Sequence, residues 1–163
     1  MINRDKRRSL IMNIRKPIIQ DVEAIVSIID GSDLGTIYFK HDKEKIERMV
    51  RSEIEHECIV IGEDVNKRCV AVLSYKLEGA FGFHPYIHII TVATDERGKG
   101  YGKQLLSYFE EVIVPEYKKI LLLVGTWNSR AVKLYEKVGY KRLCEIEGFY
   151  TENVTEILMI KER

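Results

Sequence analysis

The chain has almost no net charge. In 163 residues, 26 Lys and Arg stand against 25 Asp and Glu, a formal +1. That balance gives no global electrostatic case for nucleic acid or for a membrane surface as partner. No apolar run approaches the roughly 20 residues that a bilayer-spanning helix needs. Cysteine is scarce as well. Cys58, Cys69 and Cys144 are odd in number, scattered and mostly set in apolar stretches, so they read as reduced core thiols and not as a disulfide framework. Neither they nor His41, His56, His84 and His88 fall at metal-ligand spacing, and no metal is expected. Internal repeats, low-complexity stretches and linkers are missing too. After the basic start Arg4-Asp5-Lys6-Arg7-Arg8 there is no apolar stretch of signal-peptide length, so the expected location is cytoplasmic.

What is present is an ordinary globular composition, 45% hydrophobic and 31% charged, on a length sufficient for one core. Residues 1–11 lack periodicity and read as a basic, mobile N-terminal extension. Residues 12–163 read as a single domain. Met12 to Arg15 opens it as a strand, ended by Pro17. Val22, Ile25, Val26 and Ile29 recur at helical spacing up to Gly31. Residues Asp30 to Lys40 read as a loop, and Ile46, Met49, Val50 and Ile54 mark a second helix. Cys58 to Gly62 and Cys69 to Tyr75 form a hairpin through Glu63-Asp64-Val65-Asn66-Lys67. A strand over Tyr86 to Val92, a helix, and a fully apolar strand over Ile120 to Val124 follow, the last expected to be buried on both faces. A fourth helix and strands near Lys141 to Glu147 and Val154 to Ile160 close the order βααβββαβαββ, a mixed α/β layout.

The most informative segment is Thr94-Asp95-Glu96-Arg97-Gly98-Lys99-Gly100-Tyr101-Gly102-Lys103, between the Tyr86–Val92 strand and a helical pattern that includes Leu105, Leu106 and Phe109. A strand, a glycine-rich turn and a helix start aim several backbone N–H groups at one point, and the helix dipole adds positive potential there. A phosphate-bearing ligand is implied. The spacing does not fit a Walker A loop, which needs four residues between its first Gly and Gly-Lys-Ser/Thr. It does not fit a dinucleotide fingerprint either. The third glycine comes one residue early, and the next strand ends in Gly125-Thr126-Trp127 with no acid. Arg97-x-x-Gly100-x-Gly102 resembles the Gln/Arg-x-x-Gly-x-Gly/Ala signature with which the GNAT superfamily of N-acetyltransferases holds the pyrophosphate of acetyl-CoA.

A second segment agrees with the first. Asn128-Ser129-Arg130-Ala131-Val132-Lys133-Leu134-Tyr135-Glu136-Lys137-Val138-Gly139-Tyr140 is similar to that superfamily's Asn-x-x-Ala-x-x-Leu-Tyr-x-Lys-x-Gly-Phe/Tyr segment. By local chemistry Asn128 is a helix N-cap and Gly139 a C′ residue, with Ala131, Leu134, Tyr135 and Val138 on one stripe. Read alone, Tyr135 is a core aromatic and Asn128 merely a cap. The resemblance covers residues 12–163 and implies the acyl-CoA N-acyltransferase fold. That is a central mixed sheet of roughly six to seven strands flanked by about four helices, splayed between its fourth and fifth strands. The pantetheine arm would lie in that splay, here between Tyr86–Val92 and Ile120–Val124.

The resemblance further implies acetyl-CoA as cosubstrate and transfer of its acetyl group to a primary amine by direct attack in a ternary complex. The acceptor would be a small molecule or a peptide N-terminus. Cofactor contacts would come from Ile90, Val92, Arg97, Gly98, Lys99, Gly100, Tyr101, Gly102, Lys103, Asn128, Ala131 and Tyr135. Lys99 and Lys103 read either as charge for the phosphates or as solvated residues, and Trp127 either covers the cofactor or packs. Such transfer needs a group to take the amine's proton and a donor for the leaving sulfur. Tyr135 is the expected acid. Strand parity puts Tyr86, His88, Ile90 and Val92 on one face, and His88 has a pKa range suited to a base. Many relatives use a carboxylate here, which this strand lacks. The acceptor would meet Tyr38, Tyr86 and Tyr150, an aromatic set with few acids, which favours an amine of low charge. The other reading is a non-catalytic acetyl-CoA sensor on the same fold. A homodimer through a β-edge is compatible with the sequence, though no residue pattern specifies one.

Overall fold

The computed structural model describes residues 11–163, so nearly all of the 1–11 extension lies outside the described residues. The strands are β1 (Asn13–Arg15), β2 (Ile59–Glu63), β3 (Cys69–Ala80), β4 (His84–Val92), β5 (Lys119–Gly125), β6 (Lys141–Glu147) and β7 (Thr155–Glu162). The helices are α1 (Val22–Asp30), α2 (Lys43–Glu55), α3 (Tyr101–Tyr108) and α4 (Ser129–Lys137). One seven-stranded sheet runs in the order β1-β2-β3-β4-β5-β7-β6. It is mixed: β4 and β5 are parallel, while β1–β2, β5–β7 and β6–β7 are antiparallel. Among the described residues no helix is long and apolar enough to cross a membrane.

Contacts divide the chain into two compact units, one running to Val72 and including Thr91–Leu106, the other made of Leu73–Ile90 and Ser107–Arg163. In the first unit α1 packs on α2, as their apolar spacing requires. Val22, Ile25, Val26 and Ile29 are buried from one, Ile46 and Val50 from the other. Each fully buried aliphatic side chain contributes about 1.5–3 kcal/mol. Asp42 caps α2 by accepting from the Lys45 N–H at 2.9 Å. The segment read as an Asp30–Lys40 loop differs from that expectation. It contains a π-helical turn, Gly35–Phe39, that carries Tyr38 and is closed by Lys40 and His41 in left-handed conformations at φ 52° and 59°. Ser32 starts it by donating to the Ile29 carbonyl at 2.6 Å and accepting from the Leu34 N–H at 3.2 Å, local competition that periodicity does not reveal.

In the second unit β5 is buried along most of its length, as its apolar run predicts. The β5–β7 ladder spans Lys119↔Glu162 to Gly125↔Glu156, whereas β4 and β5 pair only at Tyr86↔Leu121 and Ile87↔Leu122. Past Ile87 the two parallel strands part. α4 is capped as expected, with the Asn128 side chain accepting from the Ala131 N–H at 3.1 Å and Gly139 at φ 101°. One cysteine departs from the core reading: Cys58 is buried, but Cys144 is exposed, because nearly every residue of β6 is.

In the first unit Arg15 ties β1 to β2. Its guanidinium donates to Asp21 at 2.8 Å and to Glu63 at 2.6 Å. Those bonds hold both carboxylates below their usual range. A lowered folded pKa adds stability above the unfolded value that is lost as pH falls through the folded one. Arg15→Ala should therefore cost about 1.5–3 kcal/mol at pH 7. In urea titrations at about pH 3, below the unfolded carboxylate values, the deficit should shrink. A deficit that does not change with pH would place the cost elsewhere.

Candidate active site

The glycine turn is held from below by its acidic start. Arg68, just before β3, donates to Asp95 at 2.8 Å and to Glu96 at 2.5 Å, and Lys99 donates to Glu96 at 2.6 Å. Glu96 is only 8% exposed. A buried carboxylate demands cations, and here two supply them. The pairing raises Arg68 and Lys99 above their ordinary values and lowers Asp95. The Ala93 N–H donates to the Val70 carbonyl at 2.8 Å, and the Thr94 hydroxyl to the Gly31 carbonyl at 3.3 Å. Neither Glu96 nor Arg68 stood out in the sequence. Lys99, read as phosphate charge or a solvated residue, remains exposed and is bound to Glu96.

Above this base Gly98 and Gly100 take φ of 86° and 88°, a region that side-chain-bearing residues avoid. Gly100 accepts the first bond of α3, from the Gln104 N–H at 3.1 Å. The N–H groups of Tyr101, Gly102 and Lys103 therefore belong to the first turn, where helix geometry gives them no partner within the helix. No atom lies within 4 Å of a Cβ built on Gly100, so the approach to these groups is open. Tyr101, Leu105 and Leu106 are buried beneath, and the Gln104 side chain accepts from the Met12 N–H at 3.0 Å. Arg97 turns toward the Val92 carbonyl (3.4 Å) and Asp33 (3.7 Å). The turn is held from below and open above, an arrangement that suits an anion.

In the second unit Tyr135 is 4% exposed on the inner stripe of α4, its ring edge-on to Tyr140 at 5.7 Å. Burial pushes its phenol up, so it stays protonated well above neutrality. On β4 the parity reading holds: Pro85, Ile87 and Ile89 are buried, while Tyr86 and Ile90 are half-buried and His88 is exposed. The Tyr86 and Tyr150 hydroxyls share a 2.8 Å hydrogen bond, and burial raises both phenols. Trp127 packs on the end of β5, where a Cβ on Gly125 would lie 2.1 Å from its Nε1. Tyr140 and Lys161 both reach the buried Glu110, at 3.4 and 2.5 Å. Cys69 is no nucleophile: burial pushes its thiol up to about 12. Among the described residues no group of three or more His, Cys, Asp or Glu is placed to hold a metal ion.

A family profile described as the acetyltransferase (GNAT) family matches residues 26–140, a span that includes both the glycine turn and Asn128–Tyr135. The chain belongs to this family. Over 70 residues it is 33% identical to a thialysine N-ε-acetyltransferase of Bos taurus, a match covering 42% of this chain and 41% of that protein. Over 77 residues it is 30% identical to a blasticidin-S acetyltransferase of Streptomyces morookaense, covering 47% and 56%. The chain thus spans about half the length of the curated relatives it matches. A crystal structure of a GNAT-family acetyltransferase from Bacillus cereus superposes with a TM-score of 0.76 at 21% identity, covering 94% of this chain and 98% of that one. That likeness concerns the fold.

The cradle makes a test of its own. With open space around its Cβ position, Gly100→Ala meets no collision, so only the left-handed backbone is penalised, by about 1–2 kcal/mol. Urea denaturation should return that loss with an unchanged m-value. No loss would mean that the turn adopts a different backbone in solution.

Proposed function

We propose that this chain transfers the acetyl group of acetyl-CoA to a primary amine by direct attack, with residues 12–163 acting as one domain. The observation that carries the reading is the cradle at Arg97–Lys103, whose N–H groups and open glycines suit a pyrophosphate. Gly98, Lys99, Gly100, Tyr101, Gly102 and Lys103 would surround it, with Arg97 at the turn's entry. Ile90, Val92, Asn128 and Ala131 would line the rest of the cofactor. Bound there, acetyl-CoA supplies an acyl carbon activated as a thioester.

The chain's own groups then have two protons to manage. His88, exposed on β4, takes one from the acceptor's ammonium, which otherwise has no lone pair to attack with. As the N–C bond forms and the C–S bond breaks, Tyr135 offers its O–H to the departing sulfur. A thiol titrates near 8.5 and a buried phenol higher, so Tyr135 donates a hydrogen bond without giving up its proton outright. The nitrogen sheds its second proton to solvent as the amide forms, the departing sulfur takes one from solvent or from the imidazolium, and the balance is one proton released. The acceptor is a small-molecule amine or a peptide N-terminus, met by Tyr38, Tyr86 and Tyr150.

Tyr135→Phe should lower kcat by about 10²–10³-fold, the scale of one lost preorganised donor, measured by thiol release over an amine panel. Its affinity for acetyl-CoA should stay within a few-fold, since the ring remains. CoA should raise the wild-type Tm, while NAD and ATP should not. Retention of wild-type kcat in the variant would remove Tyr135 from the reaction. Tight CoA binding without turnover of any amine would favour a sensor.

A further inference from the structure

The last strand brings in a carboxylate that the aromatic reading of the acceptor site left out. Glu156 is 1% exposed, and its register partners are Gly125 on β5 and Ile146 on β6. Cross-strand partners project from the same face of a sheet. Glu156, Leu158 and Ile160 therefore share a face with Gly125, Leu123 and Leu121. The parallel pair Tyr86↔Leu121 puts Tyr86 on that face too, and His88 two residues further along.

Aromatic side chains lie near this end of the sheet. The Cβ direction of Gly125, next to Glu156, runs into the Trp127 indole. The Tyr86–Tyr150 hydroxyl pair stands at the exposed end, and Phe149 sets its ring edge-on to Tyr150 at 4.7 Å. The Glu156 charge reaches both phenols and helps to hold them protonated. Ring faces attract ammonium groups, phenol oxygens accept from them, and a desolvated carboxylate supplies a field that water screens poorly.

We infer that Tyr86, Tyr150 and Trp127, backed by Glu156, form a subsite for a second cationic group of the acceptor, which is therefore a short diamine. The inference rests on the amine-acetyltransferase reading above. Its length limit comes from the register: continuing Tyr86↔Leu121 puts His88 level with Leu123, and Gly125, the partner of Glu156, lies two residues, about 7 Å, further along, so the reacting nitrogen and the held ammonium are separated by a similar distance. Glu156 acts through the phenols and is a positioning residue that selects charge. On this inference the acceptor carries a second charge, where the sequence favoured an amine of low charge, because the fold delivers the acid from a strand remote in the chain.

The experiment compares diaminobutane with butylamine as acceptors for the wild type, Glu156→Gln and Tyr150→Phe, and measures diaminobutane binding by calorimetry in the absence of acetyl-CoA. The wild type should favour the diamine by about 10-fold or more in kcat/KM, the scale of a hydrogen bond to a charged group. Glu156→Gln should raise the diamine's KM by about that factor, with kcat little changed and butylamine kinetics unaltered. A merely structural role would weaken both acceptors together. Tyr150 is 52% exposed, so its variant tests the subsite without threatening the core. An equal preference in wild type and both variants would overturn the subsite while leaving the transferase standing. Glu156-dependent diamine binding without thiol release would uphold the subsite and overturn the transferase. Absence of both binding and turnover would overturn the two together.

Discussion

Strand β4 is buried on one side only, and the chemistry proposed for this chain depends on that. Ile87 and Ile89 anchor one face in the core. That anchoring fixes the opposite face, with Tyr86, His88 and Ile90, as an accessible row. A slip of one residue would exchange the two rows completely, so the apolar residues set the register of the polar ones. The same strand stops pairing with β5 after Ile87↔Leu122. A parallel sheet that continued would spend its backbone groups on the ladder. The early end of pairing leaves polar backbone along β4 and β5 for something other than each other. Fold and site thus follow from one pattern of alternation.

Buried carboxylates are the second constraint. Glu63, Glu96 and Glu110 are each 8% exposed, and each meets a cation: Arg15, Arg68 with Lys99, and Lys161. Desolvating an acid without such a partner costs several kcal/mol, so these pairs are conditions of folding more than sources of stability. Their value lies in placement. The Glu96 pair fixes the entry to the glycine turn, so on the proposed reading the turn would need no ordering to receive an anion. The Arg15 pair does the same for the edge of the sheet.

Much of this was readable in the sequence, because it depends on local spacing. Asn128 and Gly139 announce both ends of α4, and Val22, Ile25, Val26 and Ile29 announce α1. The Arg97–Gly102 turn and the Asn128–Tyr135 helix identified the family from two short segments. What escaped depends on contacts between distant residues. Arg68 is an ordinary turn residue until the fold sets it against Glu96, 28 positions later. Glu156 looks like one acid in an edge-like run, Thr155-Glu156-Ile157-Leu158, and its burial follows only from its pairing with Gly125. The π-helical turn before α2 escaped for a different reason: Ser32 and His41 shape it through local hydrogen bonds that carry no periodic signature.

Tyr135 shows why burial belongs in the mechanism. An exposed phenol near its reference value of about 10 exchanges its hydrogen bond with water and offers the sulfur little beyond what solvent offers. Set into the α4 stripe against Tyr140, the same group loses water as a competitor, and its anion becomes too costly to form. It is thereby held as a donor at every pH at which an amine and its ammonium both exist. A group so placed makes a poor reservoir of protons but a strong fixed dipole, which in the proposed transfer would face the negative charge developing on the leaving atom. Stabilisation of that kind requires no reorganisation at the moment of reaction, so a rigid, dry helix face suits it better than a mobile loop would.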